Sequence, residues 1–142
     1  MIRGLELLDI NDDYMELLCQ LSGKNKHIKW QTAMTFWLKY EDNDDHQTFV
    51  FEGSDNIVGT ATVLIENKLL HCGSKVGHIE DVVVDSKSRL SGVGRGLINA
   101  CIDFCKERFC YKAILDCSKE NIPFYESCGF IHHENCMRID FE

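Results

Sequence analysis

Proline, positive charge and long apolar runs are all scarce in this chain of 142 residues. Its one proline, Pro123, builds no stiff linker, and no repeat or low-complexity stretch divides the sequence, so a single domain over residues 1–142 is expected. No apolar run approaches the roughly 20 residues that span a bilayer, so no membrane partner is expected. The opening "MIRGLELLDINDDYMELL" lacks both the apolar core and the small-residue cleavage site of a signal peptide, which predicts a cytoplasmic protein. Lys and Arg number 15 against 23 Asp and Glu, for a net charge of −8. A nucleic-acid partner needs a broad basic surface and is therefore not expected. The eight cysteines include no C-x-x-C pair, so no metal is expected, and without an export signal the thiols should be reduced.

What is present is a hydrophobic share of 44%, enough for a core, arranged with clear periodicities. "IRGLELL" reads as a strand. "DDYMELLCQLSG" reads as an amphipathic helix capped by Asp12 or Asp13 and stopped at Gly23, and "WQTAMTFWLKY" as a second helix. "QTFVFE" and "IVGTATVLIE", joined by "GSDN", predict a hairpin. The triple valine of "HIEDVVVD" suits a central strand covered on both faces. "VGRGLINACIDFCKERF" carries Leu97, Ile98, Cys101, Ile102 and Cys105 as one helical stripe. "CYKAILDC" reads as a strand, "NIPFYESCG" as a short helix capped by Asn121, and "FIHHENCMRID" as a final strand. The order predicts an α/β fold with helices packed on a mixed central sheet.

The stretch "IEDVVVDSKSRLSGVGRGLINACIDF" carries the chemistry. A turn leading from a buried strand into a helix exposes backbone N–H groups where the helix dipole also favours an anion. Glycines at 92, 94 and 96 admit a bulky phosphate, and Lys87, Arg89 and Arg95 supply charge locally in an acidic protein. The alternative is a glycine-rich helix start with solvated basic side chains. Two nucleotide motifs are missing: the third Rossmann glycine position is Leu97, and no Gly-Lys-Ser/Thr triplet makes a P-loop.

Arg-x-x-Gly-x-Gly after a strand resembles the acyl-coenzyme A pyrophosphate loop of the GCN5-related N-acetyltransferase (GNAT) superfamily. With "GHIEDVVVDSKSR", "CYKAILDC" and "NIPFYESCGF" in order, and more weakly "DYMELLCQLS", the chain resembles the glucosamine 6-phosphate N-acetyltransferase family over most of its length. That family carries glycine directly after the loop's Arg or Gln, where this sequence has Leu90.

The resemblance implies a GNAT fold with a mostly antiparallel sheet whose central strands splay to hold acyl-coenzyme A. It implies direct acetyl transfer from acetyl-coenzyme A to the 2-amino group of glucosamine 6-phosphate, without a covalent enzyme intermediate. Coenzyme contacts would come from the backbone of Val82, Val83 and Val84, the loop Arg89, Leu90, Ser91, Gly92, Val93, Gly94 and Arg95, and from Asn121 and Tyr125. Glu80, Asp81 and Asp116 would bind and deprotonate the amine. Tyr125 would protonate the departing thiolate, since a phenol of pKa about 10 can donate to a thiolate whose thiol has pKa about 8.5. Ser22, Lys68, His71, Tyr111 and Lys112 would meet the sugar phosphate, together with Glu80 and Asp81 on the sugar. The family also implies a homodimer with exchanged C-terminal strands. Two other readings keep the same coenzyme loop: a transferase for another amine, or a non-catalytic acetyl-coenzyme A sensor.

Overall fold

A computed structural model describes residues 1–22, 27–89 and 92–141. One five-stranded sheet runs β1 (Ile2–Gly4), β2 (His46–Glu52), β3 (Ile57–Asn67), β4 (Lys75–Val84) and β5 (Cys110–Ile114), adjacent in that order. The first four pair antiparallel and β4 pairs with β5 in parallel. The β2–β3 hairpin is closed by the Gly53 N–H donating to Asn56 O at 2.8 Å, as the "GSDN" turn predicts.

Helices cover both faces, which explains why β3 and β4 are apolar on both sides. Helix α4 (Val93–Glu107) lays Leu97, Ile98, Cys101, Phe104 and Cys105 against Ala61, Val63, Ile65 and Ile79. On the opposite face, α1 (Asp12–Ser22) packs Tyr14 and Leu17 against Val50 and Val83, and Met15 joins Ile10 and Ala33 of α2 (Trp30–Tyr40). Gly59 lets α4 lie close to β3, because a Cβ there would stand 2.7 Å from Val93 Cγ1 and 3.0 Å from Leu97 Cδ1.

Several expected boundaries shift. The first strand ends at Gly4, since Arg3 makes a two-pronged contact with Asp9 (2.6 and 2.8 Å) and folds Leu7–Asp9 into a 3-10 turn. Asn11, not Asp12 or Asp13, caps α1, accepting the Tyr14 N–H at 3.1 Å. The expected stop at Gly23 lies outside the described residues. The segment "NKLLHCGSKVG" contains α3 (Leu70–Gly73), a single turn with His71 and Cys72 in left-handed conformations, and β4 begins earlier than expected, at Lys75. Asn121 closes a 3-10 turn (Lys119–Asn121) in right-handed helical conformation, with no side-chain capping bond to α5 (Ile122–Ser127). The expected last strand does not form within one chain: residues 130–141 lie outside the sheet, with Ile131, Met137, Ile139 and Phe141 all exposed.

Candidate active site

The site is built around a place where the sheet opens. β5 follows β4 only from Lys75 to His78, pairing them with Cys110 through Ile114. From Ile79 to Val84, β4 is held by β3 alone, so its other edge faces no strand among the described residues. Asp81 marks a β-bulge there: its φ is +51°, and the register with β3 slips between Thr60 and Thr62. The extra residue resets the alternation. Val82 and Val84 pack with the α4 core and Val83 with Tyr14 and Leu17, leaving the backbone of all three beside the opening.

At the end of β4 the chain turns into α4. Gly92 is left-handed (φ +79°) and a Cβ there would meet nothing within 4 Å. The first helical bond runs from the Gly96 N–H to Gly92 O at 3.0 Å, so the amides of Val93, Gly94 and Arg95 precede it at the positive end of the dipole. The Val93 side chain is buried, which leaves its amide as the part able to meet a ligand. The other two glycines also make room for neighbouring side chains. A Cβ at Gly94 would stand 3.1 Å from Phe124 Cζ, and one at Gly96 would stand 2.6 Å from Ile2 Cδ1. Arg89 is exposed, its Nε only 3.5 Å from Val84 O. Arg95 is engaged within the protein, donating to Ser127 O (2.6 Å) and Ser127 Oγ (2.9 Å). Leu90 and Ser91, also expected at the coenzyme, lie outside the described residues.

Glu80, Asp81 and Asp116 form one electrostatic group on the flank of the opening. Partial burial, then the neighbouring charges of Asp81 and Asp116, push the Glu80 carboxyl above its ordinary range. Asp116 accepts a hydrogen bond from Cys136 Sγ at 3.4 Å, which in turn raises the Cys136 thiol. Tyr125 lies on α5. It is 9% exposed, packed edge-on to Phe124 and Phe130, and its hydroxyl makes no hydrogen bond among the described residues. Burial, helped by the nearby Cys117, Cys128 and Cys101 thiols, pushes the phenol up to about 12. Asn121 is exposed, four residues before it.

The expected phosphate contacts do not all come together. His71, Tyr111 and Lys112 come together, with the imidazole 4.9 Å from the phenol ring and Lys112 Nζ 5.4 Å from the same ring. Lys68 instead pairs with Glu66 at 2.9 Å, and Glu66 also holds His78 Nε2 at 2.7 Å. Ser22 ends α1, donating to Cys19 O at 3.1 Å. Lys112 sits opposite Val76, four residues along β4 from Glu80, or about 13 Å at strand spacing. The cation cluster thus lies beside the start of β4, and Glu80 and Asp81 lie near its middle.

Sequence reasoning passed over a polar row beside Glu80. Thr62 lies opposite it on β3 and bonds Thr48 of β2 (Oγ1 to Oγ1, 2.9 Å), while Tyr14 OH meets Thr60 Oγ1 at 3.2 Å. The signal was available: in "HQTFVFE", His46, Thr48 and Val50 alternate onto one face. The buried thiols are held protonated, Cys101 pushed up to about 12 and Cys105 to about 11 chiefly by desolvation. Neither is fitted to act as a nucleophile.

Comparison with known proteins agrees with this geometry. The model of the Acetyltransferase (GNAT) family matches residues 8–130. A glucosamine 6-phosphate N-acetyltransferase of Trypanosoma brucei brucei is 44% identical over 139 residues, covering 98% of this chain and 94% of the relative. One of Arabidopsis thaliana is 42% identical over 130 residues, covering 90% and 87%. The crystal structure of glucosamine-6-phosphate N-acetyltransferase from Arabidopsis thaliana superposes with a TM-score of 0.92 at 39% identity, covering 100% of this chain and 98% of that one.

Proposed function

Because the chain belongs to the acetyltransferase (GNAT) family, we propose that it transfers acetyl from acetyl-coenzyme A to the 2-amino group of D-glucosamine 6-phosphate, giving N-acetyl-D-glucosamine 6-phosphate. The observation that carries this is the opening of β4 from β5, flanked by acids and ending in helix amides that precede the first helical bond. The donor set fits the coenzyme. The amides of Val93, Gly94 and Arg95, with the open face of Gly92 and the charge of Arg89, suit a pyrophosphate, and the bare edge of β4 suits the amides of a pantetheine arm. Bound there, acetyl-coenzyme A supplies an activated thioester.

The chain's own groups then manage protons. Glu80, its affinity for a proton raised by its surroundings, takes one from the sugar ammonium so that a neutral amine can attack. Asp81 and Asp116 hold the amine and neighbouring hydroxyls in place. Tyr125 keeps its proton throughout the neutral range and gives it to the departing sulfur. The buried ring packing holds the phenol in one orientation, so little ordering is left for the reaction step.

The acceptor phosphate would meet His71, Tyr111 and Lys112, and the separation of these from Glu80 supports a site completed by a second copy. The exposed apolar residues of the segment 130–141 support the same reading, a homodimer in which this segment adds to the partner's sheet. We place the enzyme as one catalytic domain in the cytoplasm.

The test is release of coenzyme A thiol with glucosamine 6-phosphate, against unphosphorylated glucosamine. Turnover that depends on the phosphate is expected. Equal rates on both sugars would reject the phosphate reading, and no turnover with either would reject the acceptor.

A further inference from the structure

Helix α1 reaches β4 at two levels. Near the bulge, Tyr14 and Leu17 pack on Val83, and Tyr14 OH meets Thr60 Oγ1. Further along the helix, Gln20 uses both ends of its side-chain amide on the turn that follows β4. Its Nε2 donates to Asp85 Oδ1 at 3.0 Å, and its Oε1 accepts the Ser86 N–H at 3.3 Å. Hydrogen bonds on an exposed surface add little to fold stability, because water competes for the same groups. What this pair does fix is the place of the turn relative to α1.

Asp85 is the hub of that turn. Its N–H donates to Val58 O at 2.8 Å, its carbonyl accepts the Ser88 N–H at 2.8 Å, and its Oδ2 accepts the Lys87 N–H at 3.0 Å. Gln20, then the Lys87 N–H, hold the Asp85 carboxyl below its ordinary range, so it is charged at neutral pH. That carboxylate attracts Lys87 and Arg89 and so competes with a diphosphate for their charge. An amide donor on each oxygen leaves fewer lone pairs for a guanidinium. A turn already moored also has less freedom to lose when a ligand binds.

We propose that Gln20 is a positioning residue for the diphosphate of acetyl-coenzyme A: it moors the turn 85–89 to α1 and, by engaging Asp85, leaves Arg89 to face the ligand. Gln20 acts through the turn and not on the coenzyme itself. The inference rests on the acetyl-transfer reading, which supplies the ligand.

The experiment titrates coenzyme A by calorimetry into the full chain and two variants. Gln20→Met keeps the length of the side chain and removes both hydrogen bonds. Gln20→Glu still accepts from the Ser86 N–H but sets a second carboxylate beside Asp85. Each variant should bind coenzyme A about fivefold more weakly, with a thermal midpoint within about 2 °C of the wild type. In the transfer assay the KM for acetyl-coenzyme A should rise by a similar factor, while kcat and the KM for glucosamine 6-phosphate stay unchanged. A general loss of structure would not produce that split. Wild-type affinity for coenzyme A in either variant, or a fall in kcat with an unmoved KM for acetyl-coenzyme A, would overturn the inference and leave the proposed function standing. A wild-type chain that binds no coenzyme A would overturn both.

Discussion

Tyr125 joins a ring locked by Phe124 and Phe130 to a hydroxyl with no partner among the described residues. Tyr125→Phe keeps the packing and removes only the hydroxyl, the proposed proton donor. Turnover should fall by about 100-fold while coenzyme affinity changes by less than about twofold, read from kcat against a direct binding constant. Since burial pushes this phenol up to about 12, its ionisation should impose no alkaline limb at ordinary assay pH. Glu80 gives a limb on the other side. Its carboxyl is raised by burial and by Asp81 and Asp116, so activity should rise with pH through a value above the ordinary carboxylate range. Glu80→Gln should abolish that limb. Stability follows the opposite sense: the folded state holds the Glu80 proton more tightly than the unfolded chain does. Stability therefore declines as pH rises from the ordinary carboxylate value through the raised one. Glu80→Gln, scanned by thermal unfolding, should flatten that decline, and a steeper decline in the variant would refute the assignment.

At the scale of elements, α4 was legible because its stripe of Leu97, Ile98, Cys101 and Cys105 has helical spacing, and the hairpin because "GSDN" interrupts two alternating runs. Other features depend on contacts that spacing does not encode. The bulge at Asp81 appears only when β3 and β4 are paired, and it decides which valines face α4. The glycines of the loop all read as phosphate-binding in sequence, and the spacing does not show that Gly94 and Gly96 also make room for Phe124 and Ile2, residues distant in the chain. The candidate acids were legible as adjacent carboxylates before a valine run, whereas the threonine row and His46 were hidden because Thr and His draw no attention on an alternating strand. Gly59, which the sequence offers as an ordinary strand glycine, is where α4 comes closest to the sheet. Gly59→Ala would press a methyl on Val93 and Leu97 at once, with Val83 O at 3.4 Å behind it. A loss of about 1–3 kcal/mol is expected from urea unfolding, and unchanged stability would mean that α4 shifts freely.

For the whole molecule, the open questions of sequence and of structure meet in the segment 130–141. Its alternation predicted a strand, and among the described residues that segment pairs with no strand of its own chain. In solution the full chain should sediment at about twice the 16.3 kDa of one copy, and removal of residues 131–142 should give a monomer with little transfer activity. A monomeric full chain with full activity would rule out the exchanged strand. One contact reaches further than its size suggests. Arg95, in the first turn of α4, grips Ser127 at the end of α5, the helix that carries Tyr125. Under the proposed function, the loop offered to the diphosphate and the phenol offered to the sulfur are thereby tied into one gauge. A coenzyme's flexible arm would then have to match that fixed span, and the protein would measure the length of its acyl carrier before any chemistry begins.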